Sequence, residues 1–377
     1  MKLFECQNCA QPLYFENTRC ESCGLSLGYL PSRAIVTALK PHGNAWTALA
    51  YPRGMYRYCA NSAHNACNWL VSANSTEQFC ATCCHNRIIP DLSQPGHLER
   101  WRLIEIAKHR LFYTLLRLRL PVSTKAEAPD GLTFDFLADS AALSPSDPPV
   151  MTGHANGVIT INLAEADDAE RERRRRQMRE PYRTLLGHFR HEIAHYYWDR
   201  LVASSAKLDE FRKIFGDERA DYSQSLQNYY ASGAPADWAQ HFVSGYASAH
   251  PWEDFAETWA HYFHMVDTLE TAGSFGLAVA PKPSKAFKAR IDFDVHRADM
   301  KRLVEAWIPV TFAANSMNRS MGLPDLYPFV LSAAAIAKLT FIHAYIHAQA
   351  AWQTEGDSGI RALTAGLRRR FGISTQS

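Results

Sequence analysis

The sequence lacks the long apolar runs of secreted and membrane proteins. Its N-terminus, MKLFECQNC, has no apolar core like that of a secretory signal. The most apolar later stretch, residues 331–352, is interrupted by Lys338, His343 and His347, so it does not predict a membrane span. We therefore expect a soluble, cytoplasmic protein without a membrane partner.

The sequence also lacks an excess of charge of one sign. Forty lysines and arginines oppose 38 acidic residues, for a formal net charge of +2. This balance gives no case for a general polyanion-binding protein, so any charged partner must be recognised by a local patch. With 377 residues, of which 47% are hydrophobic, the chain can form one large domain and one or two small ones.

Cysteine is absent after Cys84, and all nine cysteines lie between Cys6 and Cys84. Clustering of this kind, in a chain without a secretory signal, favours metal sites over disulfides. Cys6, Cys9, Cys20 and Cys23 form two C-x-x-C pairs, which can offer four thiolates in a tetrahedron. We predict that they hold a structural zinc ion, with Gly24 in the tight turn after the second pair.

A second cluster contains more donors than one zinc ion needs. Its five thiols are those of Cys59, Cys67, Cys80, Cys83 and Cys84, and His64 and His85 lie nearby in the sequence. We favour Cys59, Cys67, Cys80 and Cys83 as the ligands of a second structural zinc, because Cys80 and Cys83 repeat the C-x-x-C spacing. Cys84 would then be left over.

The sequence around His191-Glu192-Ile193-Ala194-His195 predicts a zinc-binding helix. Residues four apart share a helix face, so His191 and His195 can direct two imidazoles at one metal ion. Glu192 lies beside them and can act as general base on a zinc-bound water. Apolar residues recur at helical spacing in this segment, which predicts a core-facing stripe: Leu185, Phe189, Ile193 and Tyr196.

A third ligand is expected from an acidic residue further along the chain. Pro251 suits the first position of a helix, and Glu253 and Glu257 would share one face of it. One of these carboxylates can bind the metal while the other accepts a proton from a ligand histidine. The spacing alone leaves other candidates open, namely Glu218, Asp221 and His261.

Two segments before the metal helix alternate like strands, at 132–137 and 157–163. In zinc peptidases a strand beside the metal helix commonly pairs with the substrate backbone. We therefore predict a substrate-binding edge at Val158, Ile159, Thr160 and Ile161.

The basic run at 171–176 is typical of a solvated helix face. An alternative hypothesis is that the chain is a nucleic-acid- or protein-binding zinc-ribbon protein whose peptidase-like part is a non-catalytic scaffold. Arg173–Arg176 and Arg368–Arg370 would then contact phosphates. Neither run is interleaved with aromatic residues, so we do not expect a nucleic-acid partner.

Several motifs together resemble the bacterial zinc-binding metallopeptidases that carry an N-terminal zinc ribbon. Besides the cysteine clusters, these motifs are YRYCANSAHNACNWL, GHFRHEIAHYYWD, FGDERADY, SAHPWEDFAETWAHY and NRSMGLPDLYPFV. The resemblance extends to about Gln349, and it departs from the family at Cys84 and in the C-terminal tail. It implies a metallopeptidase with a protein or peptide substrate, and a protein partner for the ribbons.

The catalytic part is also similar, over a shorter span, to the gluzincin peptidase domain of lethal-factor-type toxins. In that family the first glutamate of an E-x-x-A-E helix is the third zinc ligand, and a tyrosine seven residues earlier assists catalysis. The similarity implies these roles for Glu253 and Tyr246, and it implies that Glu257 orients a ligand histidine.

The resemblances imply an α+β, mainly helical fold in which a zincin-like metallopeptidase domain follows small cysteine-rich zinc-ribbon modules. We expect a zinc ribbon at 1–30, a second cysteine-rich module at 31–95, the peptidase domain at 96–352 and a tail at 353–377. The expected cofactors are one catalytic and two structural Zn²⁺ ions.

Overall fold

The computed structural model of the chain describes residues 2–139, 150–177 and 182–348. The predicted tail at 353–377, including Arg368–Arg370, lies outside the described residues. The part before residue 97 consists mainly of short strands, and the part after it combines helices with a mixed sheet. The predicted combination of helical and sheet structure is thus present.

The N-terminal part contains two antiparallel sheets. A two-stranded sheet pairs β1 (Phe4–Glu5) with β2 (Pro12–Leu13). A five-stranded meander follows, formed by β3 (Leu27–Leu30), β4 (Ile35–His42), β5 (Ala45–Ala48), β6 (Met55–Tyr58) and β7 (Leu70–Ser72). Gly43, with φ of +56°, permits the two-residue turn between β4 and β5. Because β3 pairs with β4, hydrogen bonds cross the predicted domain boundary at residue 30.

A mixed sheet with the strand order β10-β11-β9-β8 joins the two parts, because β8 precedes residue 97. Its strands are β8 (Asn86–Ile88), β9 (Thr133–Leu137), β10 (Gly153–Ala155) and β11 (Val158–Asn162). Strands β8, β9 and β11 are parallel, and β10 is antiparallel to β11.

This strand order corrects the predicted substrate-binding edge. Val158, Ile159 and Thr160 pair with β10 on one side and with β9 on the other, so β11 is an inner strand. Strand β10 forms a hairpin with β11 and pairs with the edge of β11 that the sequence analysis predicts to be free for substrate. Among the described residues, β10 is the outer strand on this side of the sheet.

The helices surround this sheet. They are α1 (His97–Arg117), α2 (Asp168–Gln177), α3 (Leu185–Tyr197), α4 (Leu208–Phe215), α5 (Tyr222–Ser232), α6 (Trp238–His241), α7 (Pro251–Ser274), α8 (Met300–Ser320) and a helix over 333–348. A π-helical turn, Trp198–Val202, follows α3, and a small hairpin pairs β12 (Ala278–Val279) with β13 (Ala289–Arg290). No helix within the described ranges combines the length and hydrophobicity needed to cross a bilayer.

The core lies around α3, which packs between the mixed sheet and α7. Phe189 contacts Phe134 of β9, with ring centroids 5.8 Å apart, and Tyr197 stacks on Trp259 of α7 at 5.3 Å. The predicted stripe of Leu185, Phe189, Ile193 and Tyr196 is buried. Burial of each large apolar side chain contributes about 1.5–3 kcal/mol, so the stripe holds the metal helix in place.

The basic run forms α2, and its arginines are paired. Arg173 and Arg174 contact Glu170, while Arg175 and Arg176 contact Glu172. These pairs are the local i,i+3 and i,i+4 interactions of a charged helix face, as predicted.

Glu165 is the buried member of this charged region. Its Oε1 lies 2.8 Å from Arg174 and 3.3 Å from Arg183, and His188 of α3 is 3.4 Å from Oε2. Burial opposes ionisation, but His188 and the two arginines outweigh it and lower the pKa of Glu165 from 4.5 to about 2. The ionised carboxylate therefore stabilises the folded chain above pH 4.5, and this contribution is lost as the pH falls toward 2.

We expect Glu165→Gln to lower the free energy of unfolding at pH 7 by about 2–3 kcal/mol, because it removes this buried charge from its cationic partners. The difference from the wild type should narrow as the pH is lowered from 5 toward 3. Urea unfolding followed by circular dichroism at several pH values measures both effects. Glu172→Gln, which alters an exposed pair, is the control and should cause a much smaller change. Equal effects of the two substitutions would contradict the prediction.

Candidate metal centre

The centre forms where α3 and α7 pack together. Helix α3 supplies His191 and His195, and α7 supplies Glu253. The two histidine Nε2 atoms lie 3.2 Å apart, and Glu253 Oε2 lies 2.9 Å from His191 Nε2. The three side chains are buried, and their ligand atoms lie within 4.8 Å of one another.

The donor atoms fit a metal ion because the protein itself leaves them unsatisfied. Glu253 Oε2 is buried and makes no aligned hydrogen bond with the described residues. The Nε2 atoms of His191 and His195 face each other beside the Glu253 carboxylate. This group of atoms has more lone pairs than hydrogen atoms to share, which favours a bound cation. Two histidines and one glutamate form a known donor set for catalytic zinc.

The start of α7 explains why Glu253 reaches the histidines. Pro251 occupies the first turn, as predicted, and His250 caps the helix by accepting the backbone N–H of Trp252 at 3.1 Å. Glu253 is therefore fixed within the first turn. The Trp252 ring lies 4.0 Å from that of His195 and covers it.

Glu257, one turn after Glu253, holds the first histidine in place. His191 Nδ1 donates to Glu257 Oε1 at 2.8 Å, and Ser244 Oγ donates to Oε2 at 2.6 Å. This bond leaves the lone pair of His191 on Nε2, which faces Glu253. The resemblance implied that Glu257 orients a ligand histidine, without indicating which one. It gave no indication of Ser244, which lies outside any motif and reaches the site only through the fold.

The protonation states agree with a metal-binding role. Burial lowers the pKa of His195 to about 3, which keeps this imidazole neutral. Burial opposes ionisation of Glu253, but His195 and His191 outweigh it and lower the pKa of Glu253 to about 2. For His191, burial favours the neutral form, but Glu253 and Glu257 outweigh it and raise its pKa. A bound cation would replace the proton that His191 shares with these carboxylates.

Glu192 lies next to the first ligand and is 6% exposed. Burial raises the pKa of its carboxyl group, against the opposing effect of His191 and His188. A carboxylate whose pKa is shifted toward neutrality exchanges protons more readily at physiological pH, as a general base must.

Two tyrosines border the centre. The Tyr246 ring lies 6.0 Å from that of His191. Burial raises the pKa of Tyr246, so its hydroxyl remains a hydrogen-bond donor. Tyr222 donates to Glu253 Oε1 at 2.7 Å. Sequence reasoning did not single out Tyr222, although it ends the motif FGDERADY.

The other candidates for the third ligand have different partners. Arg212 Nε donates to Glu218 Oε2 at 3.0 Å, and Asp221 caps α5 by accepting the backbone N–H of Gln224. His261 Nδ1 lies 2.6 Å from the hydroxyl of Tyr327. The structure does not bring these side chains to the centre.

The first cysteine cluster has the spacing of a tetrahedral zinc site. Cys6 Sγ lies 3.7 Å from Cys23 Sγ, and Cys9 Sγ lies 3.6 Å from Cys20 Sγ. Zinc–sulfur bonds of about 2.3 Å place sulfur atoms about 3.8 Å apart. Gly24 has φ of +75° in the turn, as predicted.

The second cluster brings together the four favoured cysteines. The Sγ atoms of Cys59, Cys67, Cys80 and Cys83 lie within 4.8 Å of one another, and all four residues are buried. Cys84 is exposed, and His85 is engaged by the carbonyl of Leu132, 3.0 Å from its Nδ1. The cluster also meets His109 of α1, which sequence reasoning missed because α1 carries no metal motif.

Comparison with known proteins agrees with this arrangement. Residues 97–345, more than half of the chain, match the family model described as "Putative zinc-binding metallo-peptidase". Residues 3–94, which contain both cysteine clusters, match the model of a zinc-ribbon domain. No solved structure shows a significant match.

Relatives in mycobacteria share nearly the whole sequence. Uncharacterized protein Rv2568c of Mycobacterium tuberculosis (strain ATCC 25618 / H37Rv) is 42% identical over 348 residues, which cover 92% of this chain and 95% of the relative. Uncharacterized protein Mb2598c of Mycobacterium bovis shows the same identity and coverage. With these relatives, the family match and the clustered zinc donors, the chain belongs to the family of zinc-binding metallopeptidases that carry an N-terminal zinc ribbon.

Proposed function

We propose that this protein is a zinc-dependent peptidase of the gluzincin type, with a catalytic zinc held by His191, His195 and Glu253. The observation that carries the proposal is the buried set of two nitrogens and one carboxylate, with Glu257 fixing one histidine and Glu192 adjacent. The two cysteine clusters would hold two further, structural zinc ions. The substrate would be a protein or peptide.

A zinc ion in this centre would lower the pKa of a bound water toward about 7 and polarise the scissile carbonyl. With zinc held there, Glu192 would serve as the general base toward water and as the acid that returns the proton to the leaving amine. Glu257, braced by Ser244, keeps the His191 ring oriented throughout. His195 remains neutral because burial disfavours its charged form.

The two tyrosines would have different roles. Tyr246 beside His191 donates a hydrogen bond to the oxyanion as it forms, where a positioned donor contributes on the order of 3 kcal/mol. Tyr222 already donates to Glu253 and therefore holds this carboxylate in place.

The outer edge of β10 is the structural candidate for binding the substrate backbone. His154 of β10 packs against Tyr196 of α3, with ring centroids 6.2 Å apart, so the strand runs beside the metal helix. Gly153–Ala155 would pair with an extended peptide in place of the inner strand that the sequence suggested.

We expect Glu192→Gln to retain zinc and to lower peptide hydrolysis by about 10²-fold or more, because the amide cannot take up the proton. Digestion of an unbiased peptide library, read by mass spectrometry, measures hydrolysis, and elemental analysis measures zinc. Glu172→Gln, the same carboxyl-to-amide change in an exposed pair of α2, is the control and should leave hydrolysis unchanged. Normal turnover by the Glu192→Gln variant would refute the proposed base.

We expect Glu253→Ala to lose about one zinc ion per chain, because two histidines alone bind zinc weakly. Glu218→Ala is the matched control, since Glu218 pairs with Arg212 and should not affect metal content. Zinc per chain after dialysis against a weak chelator distinguishes them. Loss from the Glu218 variant alone would show that the third ligand is wrongly assigned.

Phenylalanine substitutions at Tyr246 and Tyr222 can distinguish the proposed roles of the two tyrosines. We expect Tyr246→Phe to lower kcat on the order of 10²-fold with zinc affinity unchanged, because it removes only the oxyanion donor. Tyr222→Phe should weaken zinc binding instead, because Glu253 loses its hydrogen bond. Titration with a chelator and steady-state kinetics measure the two effects, and the reverse pattern would assign the oxyanion donor to Tyr222.

A further inference from the structure

We propose that His109 of α1 is a ligand of the second zinc ion, together with three sulfurs of the second cysteine cluster. The metal would then join the N-terminal ribbon part directly to the first helix of the peptidase domain. This inference does not depend on peptidase activity.

The position of the imidazole supports coordination. His109 Nε2 lies 3.2 Å from Cys67 Sγ and 3.7 Å from Cys83 Sγ. The second separation equals the 3.7 Å between Cys67 Sγ and Cys80 Sγ within the cluster itself, and the first is shorter. The nitrogen thus occupies a position equivalent to that of a fourth donor. His109 is 5% exposed, so water is not an available partner.

The other ring nitrogen determines which tautomer is present. His109 Nδ1 lies 2.6 Å from the backbone carbonyl oxygen of Glu105, which can only accept a hydrogen bond. Nδ1 therefore carries the hydrogen, and the lone pair of the neutral ring is on Nε2. Either a thiol hydrogen or a zinc ion can meet this lone pair, and zinc is the partner that also binds the clustered sulfurs.

The surroundings of His109 are fixed by polar contacts of their own. Glu105 Oε1 accepts hydrogen bonds from the fully buried Lys108 and from Asn86 Nδ2, each at 2.8 Å. Its carboxylate is therefore committed to these partners, although Oε2 lies 3.7 Å from Cys83 Sγ. The ring of His109 is held edge-on by Trp69, at a centroid distance of 5.2 Å. The histidine is thus held rigidly, as a ligand on a preformed site should be.

Charge also favours the histidine. Four thiolates around one zinc ion carry a net charge of −2, and a neutral imidazole in place of one thiolate reduces it to −1. All four cysteines are buried, so the smaller negative charge is less costly. The described residues therefore offer five good donors for a four-coordinate ion, and the displaced cysteine remains a neutral thiol.

The test is cobalt substitution in the full-length protein with His109→Phe and His109→Cys variants. Cobalt(II) in a site of three sulfurs and one nitrogen absorbs at different visible wavelengths from a four-sulfur site, and its near-ultraviolet charge-transfer intensity follows the number of thiolate ligands. Wild-type minus variant spectra report only the second cluster, because the other metal sites are unchanged. His85→Phe is the control, since this buried histidine bonds to the Leu132 carbonyl instead of the sulfurs.

We expect His109→Phe to shift the difference spectrum toward that of a four-sulfur site, because the displaced thiol can take the place of the imidazole. His109→Cys should retain the metal and shift the spectrum toward that of a four-sulfur site. If His109→Phe does not fold, the spectrum of His109→Cys alone tests whether His109 is a ligand. A four-sulfur spectrum in the wild type, unchanged by either substitution, would overturn the proposal and make His109 a hydrogen-bonding neighbour of the thiolates.

Discussion

The packing of α3 against α7 is the contact on which the rest of the structure depends. It buries His191 between Glu253 and Glu257, at 2.9 and 2.8 Å from its two ring nitrogens. Charged and polar groups removed from water in this way are costly unless each finds a partner. Glu257 and Ser244 satisfy one another and His191, but Glu253 Oε2 remains without an aligned hydrogen bond. The stacked aromatic rings around α3 hold this arrangement in place, and the grouped side chains could hold a metal ion.

Helix α7 also connects the surrounding elements through buried acids. Asp254 contacts Lys338 of the helix over 333–348, with 2.6 Å between Oδ2 and Nζ. Further along α7, Asp267 pairs with Arg190 of α3, and Glu270 accepts the hydroxyl hydrogen of Tyr113 at 2.7 Å. Buried charge pairs contribute little net stability, but breaking one is costly. Their value here is that each permits one docking position, which defines the distance between the histidines and Glu253.

The sequence predicted the parts of the site that depend on helical periodicity. His191 and His195, like Glu253 and Glu257, are four residues apart, and this spacing places each pair on one face wherever the helix packs. The sequence could not predict features that depend on how chain segments return to the centre. Tyr222, at the start of α5, reaches Glu253 from a separate segment of the chain. Strand β10 pairs with β11 and so makes β11 an inner strand. Short strands with one polar face carry no signal of which neighbour they pair with.

The position of α1 gives a physical reason why a zinc ribbon accompanies this peptidase domain. One turn and a half beyond His109, Thr114 donates to Asp267 of α7 at 2.6 Å, and Asp267 in turn holds Arg190, the residue before His191. A helix transmits a displacement along its axis because its backbone bonds are continuous, and five residues span only about 7.5 Å. If the second zinc ion holds one end of this segment, it restricts the other end, which braces the metal helix. The ribbon part would then belong to the framework that positions the metal helix.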